Sequence, residues 1–253
     1  MGRVLSFIKK EIEAQGALHF TLIDPEEEKN SLGKKIAKKA LDAGTDAFLV
    51  GGSLGVDAEL LNRTINQIRD LDEKIPIILF PGDINCISPL ADAIFYMSLL
   101  NSRNPYYIID AQAKSSIIIK RMKLEAIPMA YLITEPGQNS AAGWIGDVKP
   151  LPRSKPYLTA SYALAAEMLG LKLVYLEAGS GAENSVPNEI VCATRKLVSI
   201  PIIVGGGIRD PKVAVEKIRA GADIIVTGTI GEKDAKRLSR IIKEVKKEGE
   251  KRY

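Results

Sequence analysis

A chain of 253 residues, 46% hydrophobic and 26% charged, has room for a large core, and it holds no apolar run near the ~18–20 residues of a membrane span. One histidine and two cysteines exclude multi-histidine metal sites, and Cys86 and Cys192 lie too far apart to suggest a disulfide framework or a thiolate zinc site. The net charge of +4 is mild and comes with no aromatic-studded basic stripe, so no nucleic-acid partner is expected.

The opening "MGRVLSFIKKEIEAQG" reads as a short amphipathic helix that lacks a signal peptide's apolar core and cleavage site, which points to the cytoplasm. "LHFTLI" (18–23) is the first strand candidate. His19 inside it reads as a core residue, which leaves acid–base work to Asp, Glu, Lys or Tyr. A helical pattern near 31–43 leads to "AFLV" (47–50), and one near 57–70 leads to "PIILF" (76–80). Only "PGDINCISPLAD" then precedes "AIFYM" (93–97), too short for a crossover helix. A degraded third helix is expected there, covered by a loop or a neighbouring subunit.

The pattern resumes with a helix near 105–122 and "AIPMAYLI" (126–133). A long Gly/Pro-rich excursion, 134–156, follows and reads as a lid, a site wall or an oligomer contact. It holds Trp144, the only tryptophan, which is either a buried anchor or a contact to another subunit. Then come helix 157–169, "LVYLE" (173–177), helix 187–199, "PIIV" (201–204), helix 211–220, "DIIVT" (223–227) and helix 234–247. Eight short buried strands with intervening helices match a single (β/α)8 TIM-like barrel spanning 1–253. A doubly wound sheet would place G-x-G-x-x-G after the first strand, where "TLIDPEEE" stands instead. The basic end, "KEVKKEGEKRY", reads as a solvated helix end or as a weak attraction to anionic lipid.

Barrel chemistry sits at the C-terminal rims of the strands. Those rims carry Asp24, "GGS" (51–53), "EAGSG" (177–181), "GGGIR" (205–209) and "GT" (228–229). Bare glycines let backbone N–H groups approach an anion, so the last rims read as a phosphate cradle. Arg209 is a phosphate clamp or one half of a helix-start ion pair. Asp24 and Ser53, a carboxylate and a hydroxyl without His or Cys, suit Mg2+, or else Asp24-Pro25 merely starts a helix. Glu177 is a base for a substrate hydroxyl or a salt bridge within the barrel. "AIFYMSLLNSRNPYY" and "MAYLI" supply an apolar groove or ordinary core.

Together "TLIDP", "VGGS", "MSLLNSRNPYYIIDAQ", "YLEAGSGA", "IVGGGI" and "GADIIVTGT" resemble the geranylgeranylglyceryl phosphate synthase family, from first strand to last. "PGQNSAAGWIGDVKPLPRSKP" resembles its larger-oligomer group. The resemblance implies a prenyltransferase that joins sn-glycerol 1-phosphate to geranylgeranyl diphosphate and releases diphosphate. It implies Mg2+ held by Asp24 and Ser53, and glycerol 1-phosphate held by Tyr175, Leu176, Glu177, Ala178, Gly179, Ser180, Gly181, Gly206, Gly207, Gly228 and Thr229. Glu177 is its base, and a dimer-based homo-oligomer, up to a hexamer, is its assembly. One departure is the "EEE" after Asp24-Pro25, where some family members carry a basic residue. The rival readings are a synthase with a longer prenyl donor, a barrel isomerase or lyase on a sugar phosphate, and a non-catalytic phosphate-binding scaffold.

Overall fold

The computed structural model describes residues 2–25, 32–52 and 55–252. Its eight strands are β1 (Leu18–Ile23), β2 (Ala47–Val50), β3 (Ile77–Leu79), β4 (Ala93–Leu99), β5 (Glu125–Ile133), β6 (Leu173–Glu177), β7 (Ile202–Gly205) and β8 (Ile224–Thr227). They pair in parallel in sequence order, and β8 closes onto β1 through Leu18↔Ile224 and Phe20↔Val226. The closed (β/α)8 barrel expected from the spacing is the fold, and strand positions agree to within a residue or two.

β-Branched and aliphatic runs buried on both faces are what a parallel sheet needs. Side chains alternate between two cores. Phe20, Leu49, Ile78, Phe95, Met129, Tyr175, Ile203 and Val226 fill the barrel interior. Phe48, Val50, Leu79, Ile94, Leu176, Val204 and Ile225 point outward beneath the helices. The same alternation aims Glu177 inward, two residues after Tyr175.

Helix α1 (Arg3–Gln15) closes the lower end, burying Val4, Leu5 and Ile8 against the interior core. Its first N–H groups have no intrahelical partner. Those of Val4 and Leu5 donate instead to the Glu125 carboxylate at 2.7 and 2.9 Å. The outer ring holds α2 (Leu32–Ala43), α3 (Ala58–Arg69), α4 (Ala111–Met122), α6 (Pro156–Met168), α7 (Asn188–Leu197), α8 (Pro211–Ala220) and α10 (Ala235–Gly249), with short α5 (Ala141–Ile145) and α9 (Thr229–Lys233) at the rims. Aspartates start three of them: Asp57, Asp210 and Asp234 accept from the N–H groups of Leu60, Lys212 and Arg237. Such caps stabilise a helix by about 1 kcal/mol each.

No helix lies between β3 and β4, so the degraded third helix expected from the short interval is reduced to a loop. The loop 80–92 lies there, and an apolar groove opens between it and α4. A π-helical turn, Tyr106–Asp110, precedes α4. Ser98 Oγ donates to the Ile108 carbonyl at 2.6 Å, and Tyr96 Oη donates to that of Gln112, so β4 side chains hold this wide turn beside the groove.

The excursion 134–156 folds back over the rim. Asn101 donates to the carbonyls of Ile133 and Lys149, each at 2.9 Å, and accepts from the Ile133 N–H at 3.1 Å. One buried amide thus ties the end of β4, the end of β5 and the returning loop together. Three basic residues of the C-terminal stretch are held in internal ion pairs: Lys246 with Asp46, Lys251 with Glu248 and Arg252 with Asp223. Among the described residues Lys243 and Lys247 make none, and they are what that stretch offers to the lipid attraction considered from the sequence. Among the described residues no helix is long and apolar enough to cross a membrane.

Candidate active site

One pocket at the C-terminal end of the barrel is lined by Asp24, Gly51, Gly52, Tyr131, Tyr175, Glu177, Ser180, Gly181, Gly206, Gly207, Arg209, Gly228 and Thr229, among others. The rims of β1, β2, β6, β7 and β8 thus meet in one space. Parallel strands make this inevitable, because every strand ends at the same face.

Glu177 is 6% exposed. One carboxylate oxygen accepts from the Gly179 N–H at 2.5 Å, and the other from the Tyr131 hydroxyl at 3.3 Å. Burial pushes its pKa up to about 7, against smaller opposing contributions from the Gly179 N–H, the hydroxyls of Tyr131 and Tyr175 and the Ala178 N–H. Among the described residues no cation is paired with it, so none of them makes the salt bridge considered from the sequence. A carboxylate with a pKa near neutrality, held at the wall of a pocket, suits proton abstraction.

Around Glu177 stands an aromatic cluster. Phe80 stacks on Tyr175 at 5.4 Å and meets Tyr131 edge-on at 5.6 Å, and the two tyrosine rings are 5.2 Å apart. Sequence reasoning saw Tyr131 only as groove or core. The missed signal was register: Tyr131 pairs with Tyr175 and Ile133 with Glu177. A tyrosine at an inward position needs a partner for its hydroxyl, and the acceptor at hand is Glu177.

The glycines differ in what they make possible. Gly206 has φ +77, and a Cβ there would lie 2.2 Å from a Glu177 carboxylate oxygen. Gly205 leaves space for the Tyr175 hydroxyl, which would stand 2.0 Å from a Cβ. Gly52 does the same for Asp24, whose carboxylate oxygens lie 2.6 and 2.8 Å from the Cβ position. Asp24 therefore rests against the rim of β2. Ser53, its expected partner, and the "EEE" segment lie outside the described residues.

Two predicted binding positions turn their side chains away from the mouth. Leu176 and Ala178 are fully buried in the outer core, under the helices, because period-two alternation turns them away from the mouth. Their side chains cannot touch a ligand there. Gly179 serves Glu177 through its N–H. Arg209 lines the pocket and donates to the Gly181 carbonyl at 2.6 Å; among the described residues it makes no ion pair. His19 is fully buried, 3.1 Å from the Thr45 hydroxyl and 3.0 Å from that of Thr227. Burial and the Lys246 charge lower its pKa to about 3, so it stays neutral. It is the core residue expected.

A second, largely apolar groove runs from the gap between β3 and β4 along α4. Its lining includes Ile84, Ile87, Ile94, Phe95, Tyr96, Met97, Leu99, Tyr106, Tyr107 and Ile145. Pro81, Gly82, Met97, Tyr131 and Ala142 line both spaces. Groove and polar mouth therefore adjoin at Tyr131, next to Glu177. The excursion is the wall of both, through Ser140, Ala141 and Ala142 above the mouth and Ile145 above the groove.

A model of the PcrB family matches residues 9–248. The chain belongs to this family. It is 48% identical over 233 residues to the geranylgeranylglyceryl phosphate synthase of Pyrococcus horikoshii, spanning 92% of this chain and 90% of the relative. The synthase of Korarchaeum cryptofilum is 52% identical over 217 residues, 86% and 88% of the two chains. The crystal structure of (S)-3-O-geranylgeranylglyceryl phosphate synthase from Thermoplasma acidophilum, in complex with substrate sn-glycerol-1-phosphate, is similar with a TM-score of 0.92 and 41% identity, covering 98% of this chain and all of that one. The family resemblance read from the motifs is the one these similarities support, and they place it among PcrB-family barrels with a named synthase activity.

Proposed function

We propose that this protein joins sn-glycerol 1-phosphate to geranylgeranyl diphosphate, forming geranylgeranylglyceryl phosphate and diphosphate, and that it acts from the cytoplasm. The observation that carries the reading is the junction at Tyr131, where an apolar groove for a prenyl chain meets a glycine-rimmed polar mouth beside a carboxylate of pKa about 7. A sugar-phosphate isomerase has no use for such a groove.

The backbone around Ser180, Gly181, Gly206, Gly207, Gly228 and Thr229 holds the phosphate of glycerol 1-phosphate. That orients the C3 hydroxyl toward Glu177, whose carboxylate takes its proton. The hydroxyl oxygen forms a bond to the allylic C1 as the bond from C1 to the diphosphate oxygen breaks, and diphosphate leaves with the electron pair. The faces of Phe80, Tyr131 and Tyr175 exclude water and suit the positive charge that develops at C1. Asp24 fits Mg2+, a hard cation that binds through one or two carboxylates and takes its other oxygens from water and substrate phosphates. A single carboxylate such as Asp24 suits an ion that arrives with the substrate diphosphate. When bound, it neutralises charge on the leaving diphosphate. The direct test is incubation with glycerol 1-phosphate, Mg2+ and prenyl diphosphates of graded length, read by product mass; no ether product would reject the reading.

The glycine rims give a sharper test of the cradle. Gly206→Ala forces a Cβ into Glu177 at a positive φ, so melting temperature and turnover are expected to fall together. At Gly228 a Cβ would meet Leu22 only at 3.4 Å, an ordinary contact. Gly228→Ala is therefore expected to keep the fold and weaken glycerol 1-phosphate binding about tenfold, leaving the KM for the prenyl donor unchanged. Equal loss for both substrates would remove Gly228 from the cradle.

Assembly is read from Trp144, which is 82% exposed. It is no anchor within its own subunit, and a large aromatic left in solvent fits a contact to another copy. We expect Trp144→Ala to give a smaller, folded particle by light scattering, and an unchanged mass would refute the contact.

A further inference from the structure

We propose that the outer face of α4, beside the mouth of the apolar groove, docks on an anionic lipid membrane. The inference rests on the activity proposed above, whose donor and product both carry a long prenyl chain. Ile109, Ile117, Ile118 and Met122 are 59%, 63%, 47% and 36% exposed on this helix and the π turn before it. Ile117 and Arg121 are four residues apart, as are Lys114, Ile118 and Met122, so they form adjoining stripes on one surface. On the same helix Ala111, Gln112 and Ser115 line the groove, and Ile118, three residues beyond Ser115, stands at its flank. The wall of the groove is thus apolar-studded on its solvent side.

Charge decides the partner. Between Tyr106 and Lys123 stand four basic residues, Lys114, Lys120, Arg121 and Lys123, against the single acid Asp110. Among the described residues none of the four makes an ion pair; Lys114 lies 4.8 Å from the centre of the Tyr106 ring. A two-fold contact between copies would set this patch against itself and bring like charges together. An anionic bilayer accepts both features, with isoleucines at the acyl boundary and lysines and arginine at the head groups. A prenyl chain can then pass between bilayer and groove without crossing water.

The test is co-sedimentation of the full chain with vesicles of phosphatidylcholine, alone or mixed with phosphatidylglycerol. Binding is expected only to the anionic vesicles and should weaken as salt rises. Lys114→Ala/Arg121→Ala should reduce the partition roughly 25-fold, and Ile117→Ser/Ile118→Ser at least about tenfold. None of the four lines the mouth or the groove, so turnover with a short, water-soluble prenyl diphosphate should not change. Equal binding to neutral vesicles, no binding, or variants that bind like the wild type would each overturn the proposal. So would variants whose only change is a smaller particle mass, since α4 would then be an interface between copies. Vesicle binding that persists in a protein without prenyl transfer would reject the activity and leave the docking surface standing.

Discussion

Glu177→Gln is expected to lower turnover by roughly 10²–10⁴-fold while glycerol 1-phosphate still binds. Glutamine keeps an oxygen for the Gly179 N–H and turns its amide toward the Tyr131 hydroxyl, which can accept, so both contacts survive. Only the base is lost. The pH dependence makes this distinct from a structural role. With a pKa of about 7, the wild-type kcat/KM should rise with pH and level off above that value, and the variant should lose this rise.

Stability should move the other way. The carboxyl is raised from 4.5 to about 7 on folding, so its contribution is fully present below pH 4.5 and is lost as pH rises through 7, by roughly 3 kcal/mol. Glutamine carries no such penalty, and the variant's melting temperature should gain on the wild type between pH 5 and 8. Near-wild-type turnover, or a joint collapse of turnover, binding and melting temperature, would show that Glu177 is not the base.

Asp24→Asn is expected to cost about 10³-fold in turnover, since a cation at a leaving diphosphate is worth several kcal/mol. The asparagine is isosteric beside Gly52, where the space is already closed to any Cβ, so circular dichroism and melting should stay close to wild type. The loss should appear as a raised KM for the prenyl donor and a raised Mg2+ requirement, and excess Mg2+ should restore part of the rate. Affinity for glycerol 1-phosphate should hold, because its cradle is backbone on other strands. Unchanged turnover of Asp24→Asn at limiting Mg2+ would sink the assignment.

Both tests depend on side-chain placement that the sequence carried unevenly. Continuous hydrophobic runs of four to eight residues, separated by amphipathic helices, favour a closed parallel barrel, and the short β3–β4 interval left too few residues for a full third helix. The same logic put Asp24, Glu177 and the glycine rims at one end, since parallel strands share their C-terminal face. Local pattern could not decide which way each rim residue points. Leu176 and Ala178 sit in the same motif as Glu177, yet alternation turns them into the outer core.

Nor could it show that Tyr131, 46 residues before Glu177, donates to that carboxylate. That contact depends on the β5–β6 register, and register is a property of two strands. The pKa of Glu177 is likewise tertiary: it follows from the aromatic rings and buried backbone that displace water around the carboxylate. Composition and periodicity thus determined the barrel and the face that holds the chemistry. Packing alone decided which side chains meet there, because desolvation and hydrogen-bond geometry arise only when distant strands close into one wall.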